Sequence, residues 1–130
     1  MNRLRHVVLH HQTRTGSHYD WMLEDPRNPA GLLWTCRIDL PPSHWQSAGR
    51  LLLIELPPHR RAYLTRQGRL TDNRGWVRQV DAGHMLPLQW TISRRIVDLD
   101  TPHVRGRFLL TRLAPDRWNM QHQSASTASA

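Results

Sequence analysis

The segment HHQTRTGSHYD, residues 10–20, holds the side chains of this sequence best suited to ligate a metal ion. In an extended strand His18 and Asp20 stand at i and i+2 and leave the same face. A divalent ion can take an imidazole nitrogen and a carboxylate oxygen from such a pair. A turn within Gln12–Ser17 would bring the preceding strand back alongside and present His10 or His11. The plainer alternative is that Asp20 only orients His18 by a hydrogen bond. A second group lies in ELPPHRRAYL, residues 55–64, where Pro57 and Pro58 stiffen the approach to His59. Arg61 falls on the same side as His59 if the chain there is extended, and an imidazole beside a guanidinium suits a phosphate. The competing reading is an exposed basic loop. In the third group, Asp81 to His84, the residue types suggest a turn with His84 on the surface.

The chain has 130 residues and a net charge of +8, from 18 basic and 10 acidic side chains. Every one of those basic residues is arginine. Without lysine there is no Schiff base on a side-chain amine, no lysine-borne nucleotide and no Walker phosphate loop. The charge and a pI near 11.5 point to a polyanionic partner, nucleic acid foremost, with anionic membranes or RNA scaffolds behind it. The lone Cys36 excludes an intrachain disulfide and a cysteine-based zinc knuckle, and its apolar neighbours mark it as a small buried hydrophobe. The apolar stretch near the N-terminus is too short for a signal peptide or a membrane span, so a cytoplasmic protein is expected.

Something must hold these side chains in place. Pro, Gly and Asp punctuate the chain at short intervals, and the runs between them are rich in branched and aromatic residues. Strands are expected over residues 5–10, 18–23, 32–38, 50–56, 76–80, 88–93, 95–99 and 104–113. This pattern predicts an all-β domain over residues 1–118, a compact closed or nearly closed barrel of about eight short strands, with a sandwich as the other option. One short helical segment is expected at residues 42–50, with Ser43 as its cap. Residues 119–130, rich in Ser and Ala, are expected to form a disordered tail. In the last strand Arg105 and Arg107 share a face, either solvated or turned toward phosphate. Trp21, Trp34, Trp76, Trp90 and Trp118 are assigned to the core, and Trp45 to an exposed, base-stacking position.

Together HVVLHHQTRTGSHYDWMLEDP, LLWTCRI, LPPHRRAYLTRQGRL and RGWVRQVDAG resemble the 3′-phosphoesterase domain of bacterial DNA ligase D, in a short stand-alone form. The resemblance extends from about His6 to about Trp118. It implies a β-barrel that binds Mn²⁺ or a similar divalent metal and trims 3′-phosphate or 3′-ribonucleotide ends of DNA. It also implies His11, His18 and Asp20 as metal ligands, and His59 as a catalytic group over the reacting phosphate. Strict spacing would put the first ligand at Gln12, but His11 is the better donor. Met22 stands where the family has an arginine, and Pro57 where it has an acidic residue. Glu55 substitutes for that acid only if the two prolines leave the strand phase intact.

On this reading Arg14, Arg50 and Arg61 neutralise phosphoryl charge, since arginine's planar fork suits phosphate. The expected partners are DNA 3′ ends or RNA–DNA junctions, and a separate repair polymerase or ligase, because a lysine-free chain cannot seal the ends it cleans. No membrane role and a monomeric state are expected. The rival is a non-catalytic basic nucleic-acid-binding module that kept the fold and the metal. A third option is a structural protein of some larger assembly.

Overall fold

Dense apolar runs joined by two-residue loops dictate a meander at the start of the chain. In the computed structural model, which describes residues 3–124, β1 (Leu4–Thr13) turns at Arg14 and Thr15 into β2 (Gly16–Asp25). The Thr13 hydroxyl closes that turn by donating to the Gly16 carbonyl at 2.9 Å. A second two-residue loop, fastened by the Arg27 N–H donating to Asp25 Oδ1 at 2.9 Å, leads to β3 (Asn28–Ile38). There follow β4 (Leu51–His59), the two-residue β5 (Gly68–Arg69), β6 (Trp76–Trp90), β7 (Arg94–Asp100), β8 (Arg105–Ala114) and β9 (Arg117–Gln123).

All pairings are antiparallel, in the order β1-β2-β3-β4-β9-β8-β7-β6, and β1 pairs back onto β6. The result is a closed barrel of eight strands, with β5 appended to β6. No helix among the described residues is long and apolar enough to cross a membrane.

Two apolar clusters lie on opposite faces of the barrel wall. The larger fills the interior with Val8, Trp21, Trp34, Cys36, Leu53, Phe108, Trp118 and Met120. Each such fully buried side chain contributes roughly 1.5–3 kcal/mol. The smaller lies outside β1–β3, where Val7, Leu9, Met22 and Leu33 meet Tyr63, Leu64 and Leu70 from the segment after β4. Strand periodicity therefore buries both phases of β1 and β2, with odd positions of β1 and even positions of β2 under that cover.

Four expectations need correction. Residues 76–90 form one strand, not two separated by a turn. Gly83 is needed because a Cβ there would strike the Asp100 carbonyl, and Pro87 sits at a register shift where its missing N–H is tolerated. His84 consequently pairs with Arg5 and Asp100 within the sheet. Residues 119–123 belong to β9, whose Met120 is fully buried, so the fold does not end at Trp118; residues 125–130 of the expected tail lie outside the described residues. The helical segment shrinks to a single 3₁₀ turn, Pro42–His44, and Ser43 caps nothing. Its purpose is to carry Trp45, which is 1% exposed, packs on Trp21 at 5.5 Å and donates its Nε1–H to the Leu40 carbonyl at 3.0 Å. Trp45 is thus a core residue, not a stacking platform.

Candidate metal centre

Register alone assembles the first three groups. The β1–β2 hairpin pairs His11 with His18 and Leu9 with Asp20, so all three polar side chains emerge on the outer face, beneath the covering segment. A slip of one residue would turn them inward, and the tight turn forbids it. His10 takes the opposite phase and stacks on Tyr19 at 4.8 Å. Gln12 pairs with Ser17 and lines a neighbouring groove instead. The first position is therefore His11.

The donor atoms of His11, His18 and Asp20 lie within 4.8 Å of one another. His11 Nδ1 stands 3.4 Å from Asp20 Oδ2, and His18 Nε2 stands 3.1 Å from Asp20 Oδ1. The second contact lacks hydrogen-bond geometry, and Oδ1 is buried without a hydrogen-bond partner. A carboxylate only 4% exposed with an orphaned oxygen is costly unless a cation meets it.

The remaining nitrogen of His11 explains how the ring is set. Its Nε2–H donates to the Arg74 carbonyl at 2.7 Å, which leaves the Nδ1 lone pair facing His18 and Asp20. A backbone acceptor on the far nitrogen is the usual way a ligating imidazole is oriented. The carbonyl is delivered by a sharp loop in which Asp72 and Asn73 have φ of 59° and 55°, and Gly75 has φ of 85°. A Cβ at Gly75 would run into the Gln12 carbonyl. Nothing in the residue types around Arg74 marked it as a contributor, because the contact is made by backbone across 63 residues.

A cavity of about 150 Å³ opens over the cluster, walled by Met22, Leu56, Tyr63, Leu70 and Val77, and reached by His59 and Arg74. His59 is oriented by its Nδ1–H donating to the Pro57 carbonyl at 2.8 Å, which leaves Nε2 as its available nitrogen. The Tyr63 ring packs edge-on at 5.4 Å. The double proline does break the strand phase: Leu33 pairs with His59 but Thr35 with Leu56. Pro57 and Pro58 of β4 thus oppose the single Trp34 of β3, a bulge. Leu56 and His59 therefore share the cavity, while Glu55 turns away to accept from Trp118 Nε1 at 2.8 Å.

The arginines are not where the sequence suggested. Arg61 pairs with Glu24 at 2.7 Å and donates to the Pro29 carbonyl, fastening the cover to β2 and β3; it does not line the cavity. Arg50 precedes β4, at the end of the strand remote from His59, on the order of 25–30 Å along extended chain. Arg14 sits at the exposed hairpin tip and lines the adjacent groove. Arg107 is bound by Asp98 at 2.9 Å, and Arg105 stands 3.5 Å from Asp100, so that face is a solvated ion-paired surface. Burial pushes the Cys36 thiol well above its ordinary value, which rules it out as a thiolate nucleophile.

Two imidazoles and a carboxylate, oriented from behind and open toward a cavity, fit a divalent ion with coordination positions to spare. No family model matches the chain, and no curated protein matches it.

Proposed function

We propose that this protein is a divalent-metal-dependent phosphoesterase that removes terminal phosphate or a terminal ribonucleotide from nucleic-acid 3′ ends, with Mn²⁺ as the working ion. The observation that carries the proposal is that His59 lines the same small cavity as His11, His18 and Asp20. That donor set alone also suits oxygen-activating iron. A free imidazole over it, on a strongly basic chain, favours phosphoester chemistry, and the resemblance to the ligase D domain points the same way.

His11 through Nδ1, His18 through Nε2 and Asp20 through its carboxylate would hold the ion. When bound, it supplies Lewis-acid charge and acidifies water. In the hydrolysis, a water oxygen bonds to phosphorus, the P–O3′ bond breaks, and the leaving oxygen gains a proton to become the 3′-hydroxyl. His59, protonated on both ring nitrogens at this step, gives the Nε2 proton, the protons of the attacking water leave on the released phosphate, and the Nδ1–H bond to the Pro57 carbonyl keeps the ring aimed. Met22, Leu56, Tyr63, Leu70 and Val77 limit competing water. Purified protein incubated with a 3′-phosphorylated primer-template should yield the 3′-hydroxyl with Mn²⁺ and not with chelator, and His18→Ala should abolish the conversion. Metal-independent conversion would overturn the metal-dependent reading, and no conversion alongside salt-sensitive binding would replace it with the non-catalytic module.

A further inference from the structure

Beside the metal cavity lies a second, larger groove of about 490 Å³, and the two share Leu70. Its walls come from the β1–β2 hairpin tip and from the segment that delivers Arg74, with Arg14, Arg69, Asn73 and Trp76 facing it. Trp76 opens β6 between Gln12 of β1 and Arg69 of β5, and it is 43% exposed. It was expected in the core. Instead it leaves indole surface open where Trp21, Trp34, Trp45 and Trp118 are all buried.

The groove's charge is one-sided. No carboxylate lines it, and among the described residues neither Arg14 nor Arg69 has an ion-pair partner, whereas Arg27, Arg37, Arg61, Arg107 and Arg117 each do. Two unneutralised guanidinium groups flanking an open indole match a strand of alternating phosphates and bases. The shared Leu70 sets the groove directly beside the cavity in which the reaction is placed.

We propose that this groove holds the single-stranded nucleotides next to the reacting 3′ end, with one base stacked on Trp76 and backbone phosphates paired with Arg14 and Arg69. The inference rests on the phosphoesterase reading and adds to it the path of the strand. Recognition is by stacking and charge, so any base is accepted.

The test is fluorescence anisotropy with a labelled single-stranded DNA ending in a 3′-hydroxyl, in chelator, so that binding is read without turnover. Trp76→Ala should weaken binding about 5- to 100-fold and Trp76→Phe should restore most of it. Replacing the 3′-terminal nucleotides by abasic residues should weaken wild type equally and leave Trp76→Ala unaffected. Arg14→Gln with Arg69→Gln should lower the slope of log affinity against log salt by about 1.4, two phosphates on a single strand. Binding of Trp76→Ala at wild-type strength, or abasic DNA binding wild type as tightly as normal DNA, overturns the groove. So does equal competition by an acidic peptide, which would make it a general anion surface. These outcomes are independent of turnover: a groove that passes in a protein without Mn²⁺-dependent hydrolysis sinks the enzyme, and a failed groove with intact hydrolysis sinks only the strand path.

Discussion

Replacing Asp20 by Asn should make the metal-free protein more stable and blind to metal. The carboxylate is 4% exposed, and its Oδ1 has no hydrogen-bond partner. Leaving a buried charged group so poorly satisfied costs about 1–3 kcal/mol, a cost that a cation held by the cluster would offset. An amide has no charge to desolvate. With its nitrogen in the place of Oδ2, 3.4 Å from His11 Nδ1, it can donate to the lone pair that would otherwise meet the ion. For a domain of this size each kcal/mol moves the melting temperature by roughly 4 °C, so Asp20→Asn in chelator should melt about 4–12 °C above wild type. With Mn²⁺ at one hundred times its dissociation constant, wild type should gain about 2.7 kcal/mol, roughly 10 °C. The variant should gain almost nothing. The assay is differential scanning fluorimetry at about pH 8, where protons compete little with metal for imidazole. A variant less stable than wild type in chelator, or one that keeps the Mn²⁺ shift, would refute the argument.

Three other perturbations probe separate parts. His59→Ala should keep the Mn²⁺-induced melting shift yet lower kcat about 10²- to 10⁴-fold on a 3′-phosphorylated substrate, because it removes the proton donor and no ligand; a lost melting shift would make His59 a ligand instead. Gly75→Ala places a Cβ against the Gln12 carbonyl at φ of 85°. It should displace the Arg74 carbonyl from His11 and weaken Mn²⁺ about 10- to 100-fold by calorimetry; unchanged affinity would show that this carbonyl does not set the ring. His6, buried, accepts from Trp21 Nε1 at 3.0 Å, and burial lowers its pKa to about 4 against Asp81, which acts to raise it. The unfolded chain therefore binds more protons between about pH 4 and 6.5, and stability falls by up to about 3 kcal/mol as pH drops through that window. Denaturant titrations of His6→Asn, which keeps an acceptor for Trp21, should show a flatter profile there, and an unaltered one would contradict the assignment.

The barrel was largely legible because strand formation is local. Runs of branched and aromatic residues in β1, β2, β3, β7 and β8, bounded by short turn sequences, leave few other ways to bury those residues. The two elements misjudged in the sheet failed for a shared reason. Gly83 and Pro87 resemble breaks, yet their roles, admitting the Asp100 carbonyl and occupying a register shift, depend on a strand from elsewhere in the chain. Met120 was read as tail because its burial needs Leu51 and Leu110 on either side.

The site divides along the same line. His18 and Asp20 were readable because they share one strand face, His11 was separated from His10 only through the family resemblance, and the hairpin register then places all three together. The exchange of Trp45 and Trp76 was not readable, since Trp45 lies between His44 and Gln46 while Trp76 is followed by Val77, and only the packed barrel decides which is covered. Arginine positions were the least legible. A guanidinium on a long chain pairs with whatever carboxylate the fold brings near, as Arg61 does with Glu24 across 37 residues.

Crystals soaked in Mn²⁺ and measured at the manganese edge test the central claim most directly. The account predicts one strong anomalous peak within bonding distance of His11 Nδ1, His18 Nε2 and the Asp20 carboxylate, with His11 Nε2 still on the Arg74 carbonyl. No peak there at saturating metal, or a peak coordinated by other residues, would contradict it.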